Sequence, residues 1–286
     1  MTANPKPVAV PKRFHSRPLR MRGNLIAGLV ITLMLTAVAL LSLVWTPVPP
    51  ARLQIIHKLQ PPLSFGLLGT DQLGRDVLSM LMVGCWNSLS IAVSAVAIGA
   101  AIGTVCGIAA AALRGLFSSL VMRACDIVFA LPPILSGMML GAFLGTGRLT
   151  AIIAIAVFMI PVFARVALAT ALQAWSRDYV LAARAIGNSR LQITIRHVLP
   201  NILSQIIVQG SIQLGLAILT EAGLSFLGLG PAPPTWGRML ADAQTYLALA
   251  PWLAILPGLA IALSVLGFNL LGDGLRDLLD PREASR

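Results

Sequence analysis

Asp178-Tyr-Val-Leu-Ala-Ala-Arg-Ala-Ile-Gly187 is followed by Asn188-Ser-Arg-Leu-Gln-Ile-Thr-Ile-Arg-His-Val-Leu-Pro200, the most polar long segment lying between two very apolar ones. The pattern predicts two short helices. Asp178 is suited to cap the first, because its side-chain oxygen can accept from free amides of the first turn. Gly187 is suited to stop it, because a left-handed residue there carries no Cβ penalty. Between them Val180, Ala183 and Ile186 repeat at helical spacing. Asn188 or Ser189 can cap the second helix, in which Leu191, Ile195 and Leu199 recur every four residues. The segment therefore reads as a small helical hairpin between membrane spans.

The surrounding composition requires a membrane. Of 286 residues, 57% are hydrophobic and 11% charged, and mean hydropathy is +0.86. Ordinary soluble domains carry about 25% charged residues. The formal charge of +11 does not point to nucleic acid, since the basic residues sit between apolar runs rather than on one polar surface. Cys85, Cys106 and Cys125 have neither disulfide nor zinc spacing, and read as structural thiols.

Working outward, residues 1–24 form a basic tail with Lys6, Lys12, Arg13, Arg17, Arg20 and Arg22 and no acid. Residues 25–45 carry no charge and are long enough to cross about 30 Å of hydrocarbon. They are too long for a signal-peptide core, so the reading is a retained first span. Residues 46–87 read as an external loop, whose Gly69–Asp76 end is either a salt-bridged cap or a solvated turn. Residues 88–272 carry the remaining spans, expected at 88–113, 127–147, 149–164, 201–220 and 252–271, with the polar loop at 165–200. Residues 273–286 form a C-terminal tail. Gly99, Gly103 and Gly107, and then Gly137, Gly141 and Gly145, recur at four-residue spacing, which suits close helix approach in lipid. Pro132-Pro133 predicts a kink or a late helix start, and Pro257 a kink. The run at 149–164 is short, so Arg148 or Arg165 would snorkel to extend it. Six spans put both termini on one side. Of the 21 Lys and Arg residues, only Arg52, Lys58, Arg75, Arg148 and Arg238 fall on the other side. The positive-inside rule then predicts cytoplasmic termini and a cytoplasmic 165–200 loop.

Five blocks carry a family resemblance. Ala182-Ala183, Gly187 four residues on and Leu199-Pro200 resemble the EAA loop of ABC-importer permeases. The Arg196–Asn201 ending, the Gly69–Asp76 block, Ser225-Phe-Leu-Gly-Leu-Gly230 with Trp236-Gly237, and Asn269 through Pro281 are similar to the peptide and nickel branch, dipeptide/oligopeptide permease C-like. The resemblance runs from about Asn24 to Pro281. There are departures: Leu181 stands where the motif has Glu, His197 where an apolar residue is usual, Cys85-Trp86 where the family has a small residue and then Arg, and Arg114-Gly-Leu-Phe117 where a Gly-Tyr-rich turn is common. The resemblance implies an all-α integral membrane protein with a type I ABC-importer permease core of five helices plus one N-terminal helix, in a bacterial inner membrane. It implies a coupling helix docked on a cytoplasmic ATPase through Asp178, Tyr179, Ala182, Ala183, Arg184 and Gly187. It also implies a homologous permease subunit as heterodimer partner, two ATPase subunits, an extracytoplasmic solute-binding protein and surrounding membrane lipid. The expected solutes are di- or oligopeptides, nickel or nickel chelates.

The residues themselves supply no catalytic set. The three lysines follow Pro5, Pro11 and His57, whereas a P-loop needs Gly before its Lys. His15, His57 and His197 are scattered, so neither a metal site nor a cofactor is expected, and the chain reads as no enzyme. Glu221, the one acid beside the end of a span, is expected near the outer interface in a hydrogen-bonding role, with a functional role as the alternative. A stand-alone secondary transporter or channel is the rival reading; it would call for ion-coupling acids near mid-membrane and perhaps inverted repeats, and neither is evident. Asn201, Gln205, Gln209 and Gln213 recur every four residues, winding about 40° per step. Amides facing lipid are costly, so Gln205, Gln209 and Gln213 either line a pore or bond between helices. The isolated chain is expected to hydrolyse no ATP, with hydrolysis appearing only on reconstitution with ATPase partners. Robust turnover by the contaminant-free chain, measured as phosphate release, would contradict this.

Overall fold

The computed structural model describes residues 18–231 and 234–279. The basic tail up to residue 17 and the end of the C-terminal tail, 280–286, lie outside the described residues. Ten α-helices follow in order among the described residues: α1 (Pro18–Val44), α2 (Val77–Leu113), α3 (Gly115–Ala130), α4 (Pro133–Leu144), α5 (Arg148–Trp175), α6 (Asp178–Ala185), α7 (Arg190–Ile193), α8 (Leu199–Phe226), α9 (Trp236–Ala243) and α10 (Trp252–Leu279). Five are long and apolar enough to cross a membrane, and the α3–α4 pair makes a sixth when counted as one bent span. The long helices alternate in direction, so one face of the bundle carries the 176–198 loop and the opposite, far face carries the 45–76 loop and α9.

Why α2 and α5 pair follows from the first glycine ladder. A Cβ on Gly99 would overlap Met159 Cβ, one on Gly103 the Ile160 carbonyl, and one on Gly107 the Ala164 carbonyl. The bare α2 backbone thus lies directly on α5, whose Phe163, Ala164, Ala167 and Ala171 are fully buried. In lipid this contact forms by packing rather than by the hydrophobic effect. Gly137 and Gly141 of the second ladder instead receive the side chains of Leu224 and Leu229, and Gly145 meets nothing. α1 lies against α10 through Gly28, Gly267 and Gly274, where added Cβ atoms would strike the other helix.

Several elements differ from the expected spans. α2 starts at Val77, inside the stretch assigned to the external loop, because Asp76 caps it by accepting from the Ser79 amide at 2.8 Å. The third run does not merely kink at Pro132-Pro133. It breaks into α3 and α4 at 89°, because Pro133 cannot donate a helical hydrogen bond and forces the residue before it out of the α region. The run at 149–164 is the first part of the 28-residue α5. Its flanking arginines find partners: Arg148 Nη2 donates to Ser90 Oγ at 2.8 Å, and Arg165 pairs with Asp126 while lying over the Phe129 ring at 4.5 Å.

The far-face loop is the packed, salt-bridged cap. Asp71 Oδ1 accepts from the Leu73 and Arg75 amides, and Oδ2 from Arg75 Nε at 2.6 Å. Ser79 Oγ donates to Asp76 Oδ2 and accepts from the Val48 amide, tying the end of α1 to the start of α2.

Gly103→Val should reduce the amount of folded protein and lower its thermal midpoint in detergent, with overpacking costing about 1–3 kcal/mol. Gly210→Ala, at a helical site with nothing within 4 Å of the new methyl, should be tolerated. Equal thermal stability of the two variants would show that the α2–α5 contact does not govern the fold.

Candidate functional site

The loop between α5 and α8 is built by local signals and then clamped by tertiary ones. α6 begins at Asp178, with Arg177 in the cap position and no side-chain cap bond. Asp178 is therefore the first helical residue rather than the N-cap, where its charge still complements the positive helix end. The stop at Gly187 is as the sequence indicates, with φ +87°. Its amide bonds to the Arg184 carbonyl and that of Asn188 to the Ala183 carbonyl. Ser189 caps α7 through a reciprocal box with Gln192.

From Arg190 the helix runs on to Phe226, but Thr194–Val198 is a π-helical turn in which the Leu199 amide bonds to the Thr194 carbonyl, five residues back. Pro200 supplies the reason. It has no N–H for the carbonyl of Arg196, and its ring would crowd that carbonyl in a regular helix. The wider turn moves the carbonyl aside. It also changes which residues face inward: Ile193, Val198 and Ile202 are buried, while Leu191 and Ile195 are exposed. The regular four-residue stripe of Leu191, Ile195 and Leu199 is thereby broken.

On α6, Val180 is 0% and Ala183 4% exposed, whereas Leu181 is 52% and Ile186 80% exposed. Ile186 leaves the expected apolar line because the helix has already ended there. Ala182 and Arg184 face outward, and Ala183 turns into the core. Two contacts strap α6 to the spans. Asn201 Nδ2, in the first turn of α8, donates to the Tyr179 hydroxyl, with the Tyr179 and His197 rings 6.3 Å apart. The Arg184 guanidinium lies 4.9 Å over the Trp175 ring at the end of α5. Neither partner, Asn201 nor Trp175, is signalled by spacing within the loop.

The amide stripe winds from surface to core. Asn201 and Gln205 are exposed, Gln209 is half-buried and Gln213 is buried, with its Oε1 lacking a hydrogen-bond partner among the described residues. The structure brings Asn201 and Gln205 together with Thr170, Gln173, Arg177 and Ser204 in a polar cleft of about 190 Å³ on the loop face. Gln209 and Gln213 do not line that cleft. At the far face, Glu221 is fully buried. Ser225 Oγ donates to its Oε1 at 2.6 Å, while Oε2 has no hydrogen-bond partner among the described residues. Asn87 Nδ2 donates to the Pro234 carbonyl, and the Trp236 indole to the Leu81 carbonyl. This cluster pins the start of α9 onto α2 and α8. Among the described residues no three of His, Cys, Asp and Glu come together as a metal site.

Residues 103–285 match the family described as "Binding-protein-dependent transport system inner membrane component". The chain is 41% identical over 281 residues to the glutathione transport system permease protein GsiD of Pectobacterium atrosepticum, spanning 97% of this chain and 93% of that protein. It is 48% identical over 216 residues to GsiD of Escherichia coli O6:K15:H31, spanning 75% of this chain and 71% of that protein. In fold, it is similar to a chain of the inward-facing MetNI methionine ABC transporter, with a TM-score of 0.57 and 19% identity over 70% of this chain and 97% of that one. A packed helical core, an interrupted polar loop joining two spans, and near full-length likeness to permeases therefore agree: the chain belongs to the inner-membrane permease components of binding-protein-dependent ABC importers, in their peptide and nickel branch.

Proposed function

We propose that this permease passes a small peptide-type solute of the glutathione kind inward across the bacterial inner membrane. The observation carrying this choice is the 41% identity, over 97% of the chain, to a glutathione permease. That likeness favours glutathione over the broader expectation of oligopeptides or nickel. In this reading both termini and the 176–198 loop are cytoplasmic, by the excess of Lys and Arg on that face. ATP is bound and hydrolysed by two separate ATPase subunits, a binding protein delivers the solute at the far face, and a homologous permease completes the pathway.

The coupling contact is α6. Leu181, Ala182 and Ile186 present an exposed apolar edge for the ATPase, with Asp178 at its start. Tyr179 and Arg184 transmit displacement to α8 and α5, and Gly187 sets the end of the lever. Ala183 supports the helix from beneath rather than meeting the ATPase, because it is buried. Gln205, Gln209 and Gln213 offer neutral donors and acceptors to a polar solute moving along α8. Interhelical bonding is the competing role for the more buried of them, at about 0.6–2 kcal/mol per contact.

Cells relying on this importer should take up labelled glutathione, and lose uptake on deletion of the chain; unchanged uptake on deletion would exclude that solute. Ala182→Trp should abolish uptake and co-purification of the ATPase while the protein still inserts. Tyr179→Phe, which removes only the hydroxyl, should retain ATPase binding but lower transport per ATP hydrolysed. Unaltered assembly and uptake in the Trp variant would place the contact elsewhere. In a background without native thiols, Cys at 205, 209 and 213 should react with a small water-soluble reagent, and accessibility should change when ATP is trapped on the complex. Three unreactive sites in an active complex would assign the stripe to packing.

A further inference from the structure

A groove of about 730 Å³ runs along the loop-face half of α2 and is not part of the coupling edge. One wall is α2 from Ala100 to Leu113, and the other is formed by α7, the π turn and the first turns of α8. Its lining is almost entirely carbon, so water inside would lack the two to four polar partners it needs. The α2 wall is about 20 Å long at 1.5 Å per residue, more than one leaflet of a hydrocarbon core about 30 Å thick. An extended hydrocarbon chain of one leaflet's length can lie along it.

The end of the groove at the loop face is basic. Arg190 lines it, and its Nη1 donates to the Ala112 carbonyl at 3.3 Å, leaving most of its five donors for other acceptors. Arg114 follows two residues after Ala112 as the C-cap of α2. Neither arginine belongs to a salt bridge among the described residues. A hydrocarbon-lined slot of leaflet length with Arg190 at its loop-face end, and Arg114 next along the chain at the end of its α2 wall, matches one chemistry.

We propose that the groove holds an acyl chain of an anionic phospholipid, with Arg190 and Arg114 on its phosphate. Leu191 and Thr194 form part of the wall, so the bound lipid braces the segment that joins α6 to α8. The site lies beyond the transport reading and stands whichever solute is carried.

Native mass spectrometry of the full chain, exchanged in detergent between phosphatidylglycerol and phosphatidylcholine, tests it. Phosphatidylglycerol should be retained in preference. Arg114→Gln with Arg190→Gln should weaken its binding about thirtyfold, at roughly one charge's worth of surface attraction per arginine, and Arg114→Lys with Arg190→Lys should restore most of it. Ala109→Trp, which fills the slot, should release both lipids; the surface arginine variants decide the matter if that protein fails to fold. Equal retention of the two lipids, or an unchanged phosphatidylglycerol level in the double Gln variant, would overturn the proposal. So would loss of the lipid from the assembled importer together with cross-linking of Val105→Cys to another polypeptide, since a partner chain would then occupy the groove.

Discussion

The contact between the bare backbone of α2 and α5 at Gly99, Gly103 and Gly107 is the constraint on which the other helices depend. Lipid tails are as apolar as leucine, so helices gain little from hiding apolar side chains from them, and association rests on close packing. Three glycines one turn apart give α2 a smooth face, and the alanines of α5 give the matching one. With that pair fixed, α8 packs across both, and α10 packs on α8 and carries α1 on its outer side. α3 and α4 lie at the periphery, with most of their large apolar residues exposed, as the 89° break between them allows.

Magnitudes decide what holds the loop helix in place. The stacking of Arg184 on Trp175 is worth about 0.5–1 kcal/mol at an exposed site. The bond between Asn201 and Tyr179 contributes about 0.5–1.5 kcal/mol. Burying Val180 fully is worth about 1.5–3 kcal/mol, with Ala183 beside it. The apolar seat therefore keeps α6 in place, and the two polar straps set its orientation toward α5 and α8. The π turn, imposed by Pro200, lies where the loop joins α8, and π turns concentrate at functional sites.

At the far face, the carboxyl of Glu221 sits in a cluster of hydroxyls rather than beside a cation. A buried polar group without partners is costly; Ser225 meets one oxygen of this carboxyl, and the other has no hydrogen-bond partner among the described residues. The same cluster positions Trp236 under Gly84 and Gly237 against the Ala222 backbone. The Ser-Phe-Leu-Gly-Leu-Gly string and the Trp-Gly pair, separate in sequence, thus form one anchor with α2.

Local chemistry in the sequence determined the membrane class, the number of apolar runs, the stop at Gly187, a cap at Asn188 or Ser189 and the suitability of the glycine ladders for close helix approach. Each is a property of a few neighbouring residues or of a repeat, and so can be read without knowing what lies opposite. The family blocks made the loop recognisable despite Leu181. Only the tertiary structure decided which alanine faces out, since Ala182 and Ala183 are equivalent in propensity and differ only in what lies beneath them. It also decided that Asp178 starts rather than caps its helix, that Pro132-Pro133 breaks a span, and that the amide stripe passes from an open cleft at Gln205 to the buried Gln213. These outcomes depend on which distant helix supplies a wall, a ring or a hydrogen-bond partner, and periodicity along one segment carries no record of that.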